Sequence, residues 1–233
     1  ALANPSLSAG IVLLSVILAL TVSAGYLYPA NPLNMVSRPL LTVGADMRWP
    51  LGTDSMGRDI LAGILYGARI SVMVGIVSTL IGLVIGLLVG AVAGYVGGRT
   101  DQLLVRLIEI FQTFPPFLLV IVLIAIFRPS IATITLSIGL VSWPAIARIV
   151  RSEFRALKNL EFVQAARAAG YGDLSIATRQ ILPNAVAPII VTSSVMVASA
   201  ILIESALSFL GLGDPNTVSW GSMIGSGRDQ LRT

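Results

Sequence analysis

The sequence predicts an all-α protein, a polytopic transmembrane helical bundle, and three observations carry that prediction. Of its 233 residues 55% are hydrophobic and 11% charged, less than half the roughly 25% charge of a soluble domain. Charge-free runs near or above the ~20 residues that cross hydrocarbon as a helix occupy 9–28, 70–98, 110–127, 129–147 and 180–203. The basic residues fall mostly between these runs, as loops of a membrane protein do. An ordinary cytosolic domain and a disordered chain are excluded, since neither keeps so much apolar surface in water. The net charge of +4 therefore reads as membrane topology, and nucleic acid is not an expected partner.

The first run, within a segment 1–28, lacks a basic flank, and its length argues against a cleaved signal peptide. The chain opens Ala1-Leu2-Ala3 without Met, so a trimmed N-terminus is expected. The loop 29–69, expected to be extracytoplasmic, contains Pro29, Pro32, Pro39 and Pro50 and closes on Leu51-Gly52-Thr53-Asp54-Ser55-Met56-Gly57-Arg58-Asp59. Thr53 or Asp54 is expected to cap a helix over 60–69.

A core follows over 70–213. In the second run Gly82, Gly86, Gly90 and Gly94 recur at spacing four. Lacking Cβ atoms, that face admits a neighbouring helix backbone closely. Packing inside one subunit is the preferred reading; a dimer seam is the alternative. Pro115-Pro116 interrupts the third run and bends it, as a static kink or as a hinge. Glu109 follows Arg106 at i+3 and is expected to pair with it at the surface. Glu204 lies deeper and has no sequence-local partner. An ionised group there costs roughly 3 kcal/mol on insertion scales, so Glu204 is the translocation-pathway candidate, with a hydrogen bond between helices as the preferred role.

Between the fourth and fifth runs lies a basic loop, 151–183. Arg148, Arg151, Arg155 and Lys158 form a stripe that reads as an anchor at the lipid headgroups. Glu161 to Ala169 reads as a short helix stopped at Gly170 in the left-handed position. Asp173 is expected to cap a second helix to Leu182, with Pro183 opening the last span. This elbow is longer than a plain connection requires, which favours docking. With the loops 99–106 and 148–179 inside, eight of the fifteen basic residues are cytoplasmic, and the N-terminus is placed inside. The segment 214–233 is then extracytoplasmic, and a sixth span is expected after it.

There is no Cys and no His, so thiol chemistry, the commonest general base and the commonest metal ligand are all missing. No catalytic or metal-binding residue is assigned. The only lysine, Lys158, precedes Asn159-Leu160, so no phosphate-binding loop is present. An ion-coupled secondary transporter would show inverted repeats and several midplane charges. Neither is found, which makes that class the runner-up.

Gln164-Ala165-Ala166, Gly170 and Leu182-Pro183 resemble the EAA loop of binding-protein-dependent ABC importer permeases, with Gln164 where the motif usually has Glu. Leu51 to Asp59 resembles the LGTD-x-x-GRD string of the dipeptide, oligopeptide and nickel branch. Phe114-Pro115, Trp143-Pro144, Ser208 to Gly213 and Ser219-Trp220-Gly221 also fit, in order, its C-type permease subunit. The resemblance implies a type I importer permease fold with six spans, five of them in this chain. It implies half of a translocation pathway in the bacterial inner membrane, shared with a second permease subunit. Two cytoplasmic ATPases carrying the ATP and Mg²⁺, and an extracytoplasmic solute-binding protein, are the further partners. Glu161, Gln164, Ala165, Ala166, Gly170, Leu182 and Pro183 become the ATPase-coupling residues. Gln164 carries no charge for a salt bridge, and Glu161 one turn earlier is the replacement expected. Di- or oligopeptides are the cargo implied, with nickel or glutathione as alternatives.

Overall fold

The computed structural model describes residues 5–228; the outermost ends of the segments 1–28 and 214–233 lie outside the described residues. Nine α-helices follow in order among them: α1 (Pro5–Leu27), α2 (Ile60–Val96), α3 (Gly98–Thr113), α4 (Pro116–Phe127), α5 (Ile131–Leu157), α6 (Glu161–Ala168), α7 (Asp173–Ser175), α8 (Leu182–Phe209) and α9 (Trp220–Arg228). A π-turn, Ile176–Ile181, joins α7 to α8, so Asp173–Phe209 is one continuous rod. Described residues form no named strand; the loop before α2 holds only isolated bridges, Met35 with Arg58 and Thr53 with Asp59. Among the described residues four helices are long and apolar enough to cross a membrane, and a fifth span results if α3 and α4 count as one.

The second span starts at Ile60, ten residues earlier than its charge-free run, because Arg69 is tolerated inside the helix. Its cap is neither Thr53 nor Asp54. Asp59 Oδ1 accepts from Leu61 N at 2.9 Å, the geometry of a side-chain N-cap. Thr53 Oγ1 instead takes Leu41 N at 3.0 Å and donates to Arg38 O at 2.6 Å. Asp54 Oδ1 folds back on Met56 N and Arg58 N, both at 2.8 Å. Both residues are spent on shaping the loop. Gly52 and Gly57 have φ of +76° and +77°, and a Cβ on either would run into Leu41 O or Ser37 O.

The third run is not a single helix. Pro115 and Pro116 deny donors to the preceding turn, α3 stops at Thr113, and α4 leaves it at 80°. Twelve residues rise only about 18 Å, so α4 alone falls short of the ~30 Å hydrocarbon.

The chain packs as two units, one of 74–203 and one made of the segments before and after it. Within the 74–203 unit, the glycine face of α2 lies on α5. A Cβ at Gly82 would stand 3.3 Å from Gly139 O, at Gly86 2.8 Å from Trp143 O, at Gly90 2.5 Å from Ala147 O, and at Gly94 2.6 Å from Arg151 O. Each contact is with backbone, so the two helices meet main chain to main chain. Below this seam Ile146, Val150 and Phe154 of α5 join Val163, Ile176, Ile181, Ala185 and Ile189 in one buried cluster. Trp143 meets Phe111 of α3 edge-on, ring centroids 5.2 Å apart.

Candidate functional site

The elbow 158–183 is built on that cluster. Lys158 ends α5, and Leu160 in an extended conformation turns the chain into α6. Val163 is fully buried and seats the helix, while Glu161, Gln164, Ala165 and Gly170 are exposed and Ala166 is half-buried. The stop is a Schellman motif: Tyr171 N donates to Ala166 O and Gly170 N to Arg167 O, both at 3.1 Å. Gly170 carries it at φ +83°, with nothing within 4 Å of the place a Cβ would take. Glycine adopts that conformation without strain, and asparagine is the usual alternative.

Asp173 is the first residue of α7 and not its cap; the cap position is Gly172, which has no side chain to offer. The Asp173 carboxylate is engaged elsewhere. Its Oδ1 accepts from Tyr95 Oη at 2.5 Å, and Arg167 donates to the same hydroxyl at 3.4 Å. Tyr95 thus ties the end of α2 to both arms of the elbow. Hydrogen bonding to Tyr95 holds the Arg167 guanidinium above its ordinary pKa. Nothing in the sequence marks Tyr95, because both of its side-chain partners lie more than 70 positions away.

No break occurs at Leu182 and Pro183. The π-turn ahead of them absorbs the strain: Leu182 N donates to Ala177 O, one residue further back than an α-helix allows. Proline would collide with the carbonyl of Arg179 in a regular helix, and a wider turn removes the clash. Asn184 Nδ2 reaches back to Gln180 O at 2.7 Å.

The basic stripe is not a free anchor. Arg151 grips Asp101 of α3 with Nε and Nη2 at 2.5 and 2.7 Å. Arg148 donates to Gln112 Oε1 at 2.8 Å, and Lys158 Nζ to Tyr95 O at 3.2 Å. The stripe therefore clamps α5 to α2 and α3, leaving Arg155 exposed. Arg106 and Glu109, expected to pair, form no ion pair; both are exposed on α3. Gln164 Nε2 donates to Asn159 O at 3.1 Å, so Oε1 is the end left to meet a partner.

Glu204 sits in the other unit and is 2% exposed. It does have a sequence-local partner: Ser208, one turn on, donates to Oε1 at 2.7 Å, and Ser71 of α2 donates to Oε2 at 2.9 Å. Two hydroxyls thus satisfy a buried carboxyl across helices. Among the described residues no three Asp, Glu, His or Cys side chains come together as a metal site.

Residues 82–227 match the family described as binding-protein-dependent transport system inner membrane component. The oligopeptide transport system permease protein OppC of Escherichia coli strain K12 is 47% identical over 181 residues, 77% of this chain and 60% of that protein. The dipeptide transport system permease protein DppC of Haemophilus influenzae is 36% identical over 225 residues, covering 94% of this chain and 76% of the relative. The chain thus spans about 60% of the oligopeptide permease relatives it matches. Among solved structures, a chain of the MetNI methionine ABC transporter in an inward-facing conformation aligns with a TM-score of 0.60. It is 20% identical, over 71% of this chain and 80% of its own, a likeness of fold.

Proposed function

The chain belongs to the family of binding-protein-dependent transport system inner membrane components, and from that premise we propose that it is a permease subunit of an ATP-driven peptide importer. The reading takes di- or oligopeptides as cargo and places the N-terminus on the cytoplasmic side of the inner membrane. The observation that carries it is the 47% identity to an oligopeptide permease across most of the chain. A second permease subunit completes the pathway, two ATPases sit beneath, and a solute-binding protein delivers cargo from outside. ATP and Mg²⁺ are held by the ATPases.

In this reading α6 is the coupling helix. Its exposed face, Glu161, Gln164 and Ala165, enters a groove of one ATPase, and small side chains let the two surfaces approach closely. Glu161 supplies the charge that Gln164 lacks, in the first turn where the helix dipole favours an acid. Closure of the ATPase dimer on ATP pushes α6, and the push must reach the spans as a rigid-body motion. Three connections suit that task. Val163 keys α6 into the α5–α8 cluster, Tyr95 ties it to α2, and Arg151 locks α5 to α3. Leu182 and Pro183 belong to the rod that leads from the elbow into α8. Glu204, buried and twice hydrogen-bonded, is a tie between helices in this account and not a substrate contact.

The test is co-purification of the full subunit with its partner permease and ATPases, comparing wild type with Ala165→Arg. Ala165 is exposed, so the change leaves the Val163 anchor in place. Wild type is expected to retain the ATPases and Ala165→Arg to lose them or lose transport-coupled hydrolysis. A wild type that binds no ATPase overturns the importer reading; a fully coupled Ala165→Arg overturns the role of α6. Uptake of labelled dipeptide, nickel and glutathione by the same complex decides the cargo.

A further inference from the structure

The unit made of the first 73 residues and those from Glu204 onward contains a cleft of about 470 Å³, within the ~300–1,000 Å³ of small-molecule sites. It lies between the Leu51–Asp59 string and the segment that leads into α9. Two of the residues that line it carry a buried polar atom with no hydrogen-bond partner: Asp59 Oδ2 and Arg58 Nε. Asp59 is 5% exposed and spends its other oxygen on capping α2. The two neighbours do not pair with each other, although one is an anionic acceptor and the other a cationic donor. An unsatisfied buried charge is costly, so a site that keeps both signs unpaired suits a ligand carrying both. Leu33, Ile60, Val218 and Met223 supply apolar wall. Asp54 and Asp214 line the same cleft half-buried, each with Oδ1 engaged by backbone amides, whereas Asp59 is the buried carboxylate of the three and keeps an oxygen without a partner. The loop is held in shape by Gly52 and Gly57, whose positive φ angles leave no room for a side chain, so the cleft is formed in advance.

We propose that this cleft binds a short zwitterionic peptide, its ammonium group on Asp59 Oδ2, its carboxylate on Arg58 Nε and its side chains on the apolar wall. The inference rests on the importer reading and adds to it a cargo contact on the permease itself, in the segment expected to be extracytoplasmic.

The test uses the full chain assembled with its partner permease and ATPases in nanodiscs, without the solute-binding protein. Calorimetry measures binding of alanyl-phenylalanine, its N-acetyl derivative and its C-terminal amide. Asp59→Asn removes the charge while keeping an oxygen for Leu61 N, and asparagine caps helices as well as aspartate does. Binding of the free dipeptide is expected to weaken at least about tenfold in Asp59→Asn, and that of the N-acetyl form not to change. Arg58→Gln is expected to weaken the free dipeptide and leave the amide unaffected. Equal binding of free and acetylated dipeptide to wild type overturns the proposal, and so does unchanged affinity in Asp59→Asn or no binding at all. If Asp59→Asn weakens capture of the solute-binding protein but not of dipeptide, the cleft holds a lysine of that protein and the proposal falls. Binding-protein-driven peptide uptake is measured in parallel. Uptake without cleft binding removes this inference alone, whereas absence of uptake removes the importer reading too.

Discussion

Gly90→Ala is expected to destabilise the chain, against the ordinary helix preference for alanine. The added Cβ would stand 2.5 Å from Ala147 O, 2.8 Å from Val150 Cβ and 3.1 Å from Ala147 Cα. Comfortable contact begins near 3.5 Å, so α5 must retreat by about 1 Å along the seam. Overpacking of this kind costs about 1–3 kcal/mol. Up to ~1 kcal/mol returns through helix propensity, leaving a net loss of about 1–2 kcal/mol. Gly10→Ala in α1 is the control, because nothing lies within 4 Å of its Cβ and only the gain applies. Adding Gly86→Ala to Gly90→Ala should cost less than the sum, since one retreat of α5 relieves both contacts. The assay is reversible unfolding in detergent micelles followed by tryptophan fluorescence, to which buried Trp143 reports from within the seam. A Gly90→Ala midpoint that rises as in Gly10→Ala, or costs that add in full, would refute backbone-to-backbone packing.

Three further outcomes are expected. Arg151→Ala should cost about 1–3 kcal/mol by stranding the partly buried Asp101, and the exchange Asp101→Arg with Arg151→Asp should recover part of it in the same unfolding assay. Glu204→Gln should shift the midpoint by less than about 1 kcal/mol because a serine hydroxyl can turn to accept. Glu204→Leu, which removes both acceptors, should cost about 1–3 kcal/mol. Gly170→Val should strain the elbow by about 1–2 kcal/mol at φ +83°, while Gly170→Asn is tolerated; limited proteolysis at the elbow distinguishes the two.

Much of this arrangement was legible before any coordinates. Apolar runs marked the spans because lipid demands length and hydropathy and little else. Gly170 marked the end of α6 because few residues accept a left-handed backbone. The departures have two opposite causes. Asp173 and the basic stripe read most simply from their nearest neighbours in sequence, yet Asp173 answers to Tyr95 and Arg151 to Asp101, 78 and 50 positions away. Glu204 shows the reverse: its Ser208 partner lies one turn on in the same helix. The continuity through Pro183 has a signal in the spacing of apolar residues. Buried Ile176 and Ile181 stand five apart, then Ala185 and Ile189 follow at four, an interval that only a widened turn puts on one side.

That widened turn also gives the elbow a phase. The rod Asp173–Phe209 holds one residue more than a regular spiral would need to bring its buried side chains into line. The bearing of everything ahead of the turn is therefore stored as a count. Deleting one residue within 176–181 would rotate the elbow by about 100° relative to α8, with almost every chemical group still present. Length there works like the thread of a screw, so an insertion or deletion would disturb the elbow more than most exchanges of one side chain for another.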